Sequence, residues 1–552
     1  MRRNATRAIL SWSALALVLG TMAIVLGTLT IFDRSATAQL RDKTQLSPIS
    51  VTGGTINKSW TQEIGAGRGD IMTPDTSAFI IARDPFRAIR RGRQIFQRKF
   101  QMKQGMGPTT NDGVVNPSYV GGDRSGAAGL TDSCASCHGR PRGGAGAGGD
   151  VVTRPDSRDA PHVYGLGLQE QLADEITTSL RAIRAGALTQ AMSAGAPVSR
   201  VLSAKGIDYG VITARPDGTF DTTHVVGVNP DLRVRPFFAE GGTISIREFV
   251  VGAFNAEMGL ESPDPDLATA SSGGTVKTPS GMVLDGTLDT IEPPPVASAT
   301  VDGDGDGYVN EVPQSIVDFM EFYLLNYFKP GTGDQTQPDV LNGRAVFTAI
   351  GCGACHMPSL TINHDRRVAD LETEFDPMQG NPFNRLFATG KTMVMGGFPA
   401  GMDDGKGLPS LKLPAGGPFV VRNFFADFKR HDLGTNFHER NYEGTYQELF
   451  ITEPLWGVAT TAPYGHDGRS GTLEEVILRH GGEAQSSRDA FAALGRMQKV
   501  WVLNFLGTLL LFPPDDTASN LQPATPSSAH YPQNGHGAIA LTGLFNDPMD
   551  PE

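Results

Sequence analysis

Cys134-Ala135-Ser136-Cys137-His138 and Cys352-Gly353-Ala354-Cys355-His356 are two copies of C-x-x-C-H, and together they use all four cysteines of the 552-residue chain. In this pattern two thiols form thioethers to the vinyl groups of one porphyrin edge, and the adjacent histidine ligates the iron. A single copy is also compatible with chance, a zinc site or a redox dithiol. A zinc site built from the four cysteines leaves both adjacent histidines unexplained. The pair therefore reads as two covalently bound haem c groups. Cys134, Cys137, Cys352 and Cys355 are the attachment points, and His138 and His356 are the proximal ligands.

Outward from the motifs, a second similarity appears. Asn342-Gly343-Arg344-Ala345-Val346-Phe347 precedes the second motif, and Arg91-Gly92-Arg93-Gln94-Ile95-Phe96 precedes the first. Both read as amphipathic helices carrying G-R-x-(I/V)-F. Each unit also closes on an apolar-rich helix, Ile316 to Phe328 before Lys329-Pro330 and Lys499 to Phe512 before Pro513-Pro514. The predicted class is mainly α, with two cytochrome c-like helical haem domains and long irregular loops. Gly92 lies 42 residues before Cys134, whereas Gly343 lies 9 before Cys352, so the first unit is inflated, chiefly by a glycine-rich stretch from about 101 to 132. The expected boundaries are 39–85 for an amino-terminal arm, 86–330 and 331–515 for the two haem domains, and 516–552 for an irregular tail.

Hydrophobic residues at 39% support a packed core, and four cysteines exclude a disulfide scaffold. A formal charge of −12 argues against nucleic acid as a partner and suits a basic redox partner. Arg2, Arg3 and Arg7 precede an apolar run from Ala8 to Phe32, followed by small residues ending Ala36-Thr37-Ala38. Residues 1–38 therefore read as an export signal, or as an uncleaved membrane anchor because the run is long enough to span a bilayer. Either way the remainder is placed outside the cytoplasm, in the periplasm.

Glu453 to Ala484 reads E-P-L-W-G-V-A-T-T-A-P-Y-G-H-D-G-R-S-G-T-L-E-E-V-I-L-R-H-G-G-E-A. It resembles the carboxy-terminal signature of the bacterial di-haem c-type oxidoreductases, a peroxidase-type family whose members also carry the label thiol oxidoreductase. More distantly it resembles the di-haem cytochrome c peroxidases and their quinone-cofactor maturation relatives. Arg158-Asp159-Ala160-Pro161, Gly165-Leu166-Gly167-Leu168, Glu257-Met258-Gly259 and His431-Asp432-Leu433-Gly434 extend the resemblance over roughly residues 86 to 515.

His480 alone reads as a helix-terminal histidine beside Gly481-Gly482. The resemblance makes it the sixth ligand of the second haem, in a bis-histidine pair with His356. His466 and Arg469, in the turn Tyr464 to Arg469, are candidates for holding haem propionates. Glu257 alone reads as a loop carboxylate; the resemblance places it where the peroxidases carry the distal glutamate that moves a proton during O–O cleavage. The glycine tract 143–149 after the first motif holds no histidine, so the first haem is expected to keep an open sixth site, with His162 left unassigned. The implied activity is reduction of hydrogen peroxide with electrons from a small cytochrome or cupredoxin. A di-haem oxygenase using O₂ on an organic substrate and a non-catalytic electron carrier are the alternatives. No tryptophan falls at the place between the haems where the peroxidases carry one, and the surplus thiol that a thiol oxidoreductase needs is missing.

One motif stands apart. Asp302-Gly303-Asp304-Gly305-Asp306-Gly307 matches the first half of an EF-hand loop, but its twelfth position is Pro313 and not glutamate. Asp302, Asp304 and Asp306 are candidate Ca²⁺ ligands, with Asn310 or Glu311 in place of the missing residue.

Overall fold

A computed structural model of the chain describes residues 59–101, 104–105, 132–138, 159–327, 332–368, 370–371, 392–393, 403–414, 417–441, 444–459 and 461–510. The export signal, most of the amino-terminal arm, the glycine tract 143–149 and the tail lie outside the described residues.

In chain order the first half holds α1 (Trp60–Ile64), α2 (Ser77–Arg83), α3 (Pro85–Gln97), α4 (Cys134–Cys137), α5 (Leu166–Ala194), β1 (Val198–Ala204), β2 (Ile207–Ala214), β3 (Phe220–Val225), α6 (Ile246–Met258), α7 (Pro265–Ser271), β4 (Thr275–Lys277), β5 (Val283–Asp285) and α8 (Gln314–Leu325). The second half holds α9 (Pro338–Ala349), β6 (Ser359–Ile362), β7 (Asp370–Leu371), β8 (Thr392–Met393), β9 (Phe419–Arg422), β10 (Arg430–Asp432), β11 (Glu439–Arg440), β12 (Tyr446–Gln447), β13 (Leu449–Ile451), α10 (Leu473–Arg479), α11 (Gln485–Ala493) and α12 (Arg496–Leu506).

Of the described residues 37% are helical and 15% are in strands, in several small antiparallel sheets, so the class is mixed α/β. The expectation of a mainly α protein made of two cytochrome c-like helical domains does not hold. Segments read as irregular loops pair instead. β1 and β2 are joined by Lys205-Gly206, both at positive φ, as a two-residue hairpin turn requires. Gly210 (φ +82) takes up the irregularity in β2, where an added Cβ would lie 2.0 Å from His224 O. Past it the buried set changes from Ile207 and Tyr209 to Ile212 and Ala214, so the inward face is kept across the bulge.

The glycine of each G-R-x-(I/V)-F segment is a helix-crossing point. Asp84 caps α3 at the Arg87 N–H, with Pro85 in the first turn. Where α3 crosses α8, a Cβ on Gly92 would meet Phe319 O at 2.4 Å. Where α9 crosses α12, a Cβ on Gly343 would meet Trp501 O at 1.8 Å. A Cβ on Gly165 would likewise meet the Trp456 ring at 2.5 Å, and one on Gly167 would meet Leu325 O at 2.0 Å. The closing helices end earlier than the sequence suggests, at Leu325 and Leu506.

Three apolar clusters follow. One gathers Phe96, Phe100, Phe254, Phe319 and Tyr323. A second joins α5 and β2 to β6, β9, Phe424 and Trp456, drawing on both halves of the sequence. A third holds Phe347, Phe425, Phe491 and Phe505. Each fully buried side chain of this kind contributes roughly 1.5–3 kcal/mol. Among the described residues no helix is long and apolar enough to cross a membrane.

Candidate haem site

The first motif is a single helical turn, α4, in which the His138 N–H donates to Cys134 O (2.9 Å). His138 Nδ1 lies 2.7 Å from Pro161 O. A carbonyl only accepts, so Nδ1 carries the proton and the Nε2 lone pair is left for a metal. The second motif forms a 3₁₀ turn after Gly351 (φ +93), and the His356 N–H donates to Cys352 O (3.0 Å). His356 Nδ1 donates to Phe425 O (2.9 Å), which again frees Nε2. Burial lowers the pKa of both histidines, His356 to about 4, and so holds them neutral as ligands must be.

His480 completes a set of three. It caps α10, and its Nδ1 donates to Val476 O (2.6 Å), a carbonyl the helix end leaves open. Its pKa too is lowered by burial. Phe437 stands edge-on to its ring at 5.2 Å.

One cavity of about 1270 Å³ is lined by the cysteines and histidine of both motifs and by Glu257, His466 and His480. That exceeds the roughly 300–1,000 Å³ of ordinary ligand pockets. Burial pushes Cys134 up to about 12 and Cys352 to about 11, which makes free thiolates scarce and a redox dithiol a poor reading. Among the described residues the two cysteine pairs do not meet in one metal-ligand cluster. The space, the three histidines fixed in one tautomer and the flanking thiols fit haem.

The remaining candidates fall out unevenly. Glu257 is on the last turn of α6, half-buried and in the cavity wall, rather than on a loop. His466 stacks on Phe450 at 4.0 Å, and its carbonyl accepts from the Asp159 N–H (2.9 Å). Arg469 does not line the cavity; its side chain is half-exposed, with Nε 3.5 Å from Asp467. It is Arg479 that grips Asp467, through two bonds of 2.7 Å, while covering the Phe437 ring at 4.1 Å.

Sequence reasoning left several residues without a part. His431 donates from Nδ1 to Glu483 (2.7 Å) and from Nε2 to Asp427 (3.1 Å) beside Cys355. Burial opposes its charge, but Asp427, the Cys355 thiol and Glu483 raise it to about 11. Its signal was the H-D-L-G segment. His162 follows Pro161 in the cavity wall with a buried, unpartnered Nδ1. Trp456 is buried in the same wall with its indole N–H unpartnered.

Asp302, Asp304 and Asp306 lie together away from the cavity lining, and Glu311 groups with Asp304 and with Glu261, which the sequence did not single out. Burial, with Asp304, Asp306 and Glu261 alongside, pushes Glu311 up to about 8.

Residues 421–509 match the family described as "Di-haem oxidoreductase, putative peroxidase". Over this stretch the chain is similar to the di-haem oxidoreductases. The matched stretch runs from β9 to just past α12 and includes His431, His466 and His480. It covers well under half of the chain. No curated protein matches the sequence. The description of the matched family names two haem groups and oxidoreductase chemistry.

Proposed function

We propose that this di-haem oxidoreductase works in the periplasm, reducing hydrogen peroxide at the amino-terminal haem site with electrons entering through the carboxy-terminal one. The observation that carries the reading is the single cavity joining His138, with Glu257 in its wall, to His356 and His480. Bound there, two haems would supply the iron that takes the peroxide and the route for its two electrons. Cys134 and Cys137, and Cys352 and Cys355, would anchor them covalently. Nε2 of His138 and of His356 would be the proximal donors. His480 would fill the sixth position of the second site, and the first would stay open to peroxide. Glu257 would take the proton from the inner peroxide oxygen and deliver it to the outer one. The balance is one H₂O₂, two electrons and two protons to two waters. An acidic protein of charge −12 suits a basic small cytochrome or cupredoxin as donor.

The aromatic wall of Phe237, Phe249 and Phe254 favours a second reading, in which an apolar organic substrate meets O₂ in the same cavity. The test is peroxide-dependent oxidation of a reduced cytochrome by the haem-loaded protein and by Glu257→Gln. Turnover that the substitution abolishes supports the first reading. O₂ consumption with an organic substrate and none with peroxide supports the second. Neither activity would leave an electron carrier.

A further inference from the structure

The carboxylate cluster between α6 and α8 takes no part in the redox proposal. One oxygen each of Asp302, Asp304 and Asp306 lies within 4.8 Å of the others, and the same holds for Glu261, Asp304 and Glu311. Asp304 belongs to both groups, so the loop triad and the glutamate triad adjoin through it. Glu261 and Glu311 are 7% and 4% exposed, which removes them from the bulk water that ordinarily stabilises a carboxylate. Backbone geometry holds them there. The Val312 N–H donates to Glu261 O (3.1 Å) and the Ser262 hydroxyl to Val312 O (3.0 Å). The Gly303 N–H donates to Glu261 Oε2 (2.9 Å), and a Cβ at Gly303 would meet Glu261 Oε1 at 2.6 Å. Glu311 Oε2 accepts from the Glu261 N–H (2.6 Å), whereas Glu311 Oε1 is buried with no hydrogen-bond partner. A buried carboxylate oxygen left unbonded beside the carboxylates of Glu261 and Asp304 is placed for a cation.

We propose that Asp302, Asp304, Asp306, Glu261 and Glu311 form a site for one Ca²⁺ ion. The ligands are all hard oxygens, and five carboxylates from two separate segments suit the six to eight flexible oxygen ligands of Ca²⁺. Mg²⁺ demands stricter octahedral geometry and keeps its waters, which these crowded side chains displace. This is not an EF-hand. The glutamate that closes such a loop is replaced by Glu311 within the loop and by Glu261, which arrives from 41 residues earlier. The ion would tie the segment leaving α6, four residues after Glu257, to the segment entering α8.

The test is calorimetric titration of Ca²⁺ into the full haem-loaded chain after chelation and removal of the chelator. One equivalent should bind per chain and raise the melting temperature. Glu311→Gln and Asp304→Asn should each weaken binding by about tenfold or more, because ligand charge sets affinity. Asp217→Asn, in an exposed hairpin turn, should change nothing. Circular dichroism shows whether each variant folds, and Asp306→Asn on the exposed side of the loop replaces any that does not. Absence of binding at millimolar Ca²⁺, affinity unchanged in the substituted chains, or Mg²⁺ bound as tightly would each overturn the proposal.

Discussion

Phe96 and Phe347 approach His138 and His356 in nearly the same way, with ring centroids 6.4 and 6.1 Å apart and interplanar angles of 44° and 49°. In both units the helix before the motif crosses a closing helix at its glycine, and the motif histidine donates from Nδ1 to a distant backbone carbonyl. The closing helices are then secured differently. α8 carries Asp318 and Glu321, which accept from the fully buried Arg247 at 2.9 and 2.8 Å. α12 rests on the apolar cluster of Phe347, Phe425 and Phe505. The surroundings differ as well: His480 stands near His356, whereas His138 shares its part of the wall with His162. Local packing repeated twice fixes how each motif histidine is presented. What faces it comes from segments with no counterpart in the other unit.

That contrast can be broken most forcefully at Arg247. Arg247→Met leaves Asp264 and Glu321 as buried carboxylates without their arginine, while Asp318 keeps Arg68, and urea unfolding should show a loss of about 3–5 kcal/mol that added salt does not reduce. A loss as small as that of a surface pair would remove the distinction between the closing helices. Next in size, Glu257→Gln should lower peroxide turnover about 10²–10⁴-fold with little change in the KM for the electron donor. An equal fall in both units' spectra without a rate effect would move Glu257 to a structural part.

Gly92→Ala and Gly343→Ala should each destabilise by about 1–3 kcal/mol in the same unfolding assay, because each Cβ would press on a carbonyl of the crossing helix. Similar losses would sharpen the likeness of the two units, and a loss in only one would break it. A last contrast concerns pH. His431 is raised from 6.5 to about 11 in the folded chain, so its ion pairs contribute fully below pH 6.5 and fade as pH rises through 11. The stability advantage of the native chain over His431→Gln should therefore shrink above neutrality, read from unfolding midpoints at a series of pH values.

The parts legible in sequence were those set by short spacing: both haem motifs, the G-R-x-(I/V)-F helices and the A-P-Y-G-H-D-G stretch. The sheets were not read, although Lys205-Gly206 and Pro216-Asp217-Gly218 are ordinary hairpin punctuation. The repeated helical pattern overshadowed that local evidence. Arg469 is expected at a propionate from its place in the turn Tyr464 to Arg469, yet Asp467 in that turn pairs with Arg479, twelve residues on. Glu261 could not be attached to the Asp302 loop by spacing, since only the pairing of residues 261–262 with 312 brings them together. His480 is a candidate ligand by resemblance alone, and its hydrogen bond to Val476 O leaves its Nε2 free.

The central claim is that two haems share one cavity, the second closed by His480 and the first open. Electron paramagnetic resonance of the oxidised, haem-loaded chain beside His480→Ala tests it most directly. The account predicts one low-spin and one high-spin ferric signal in the native chain, with the low-spin signal converted to high-spin by the substitution. Two low-spin signals in the native chain, or a low-spin signal that survives His480→Ala, would contradict it.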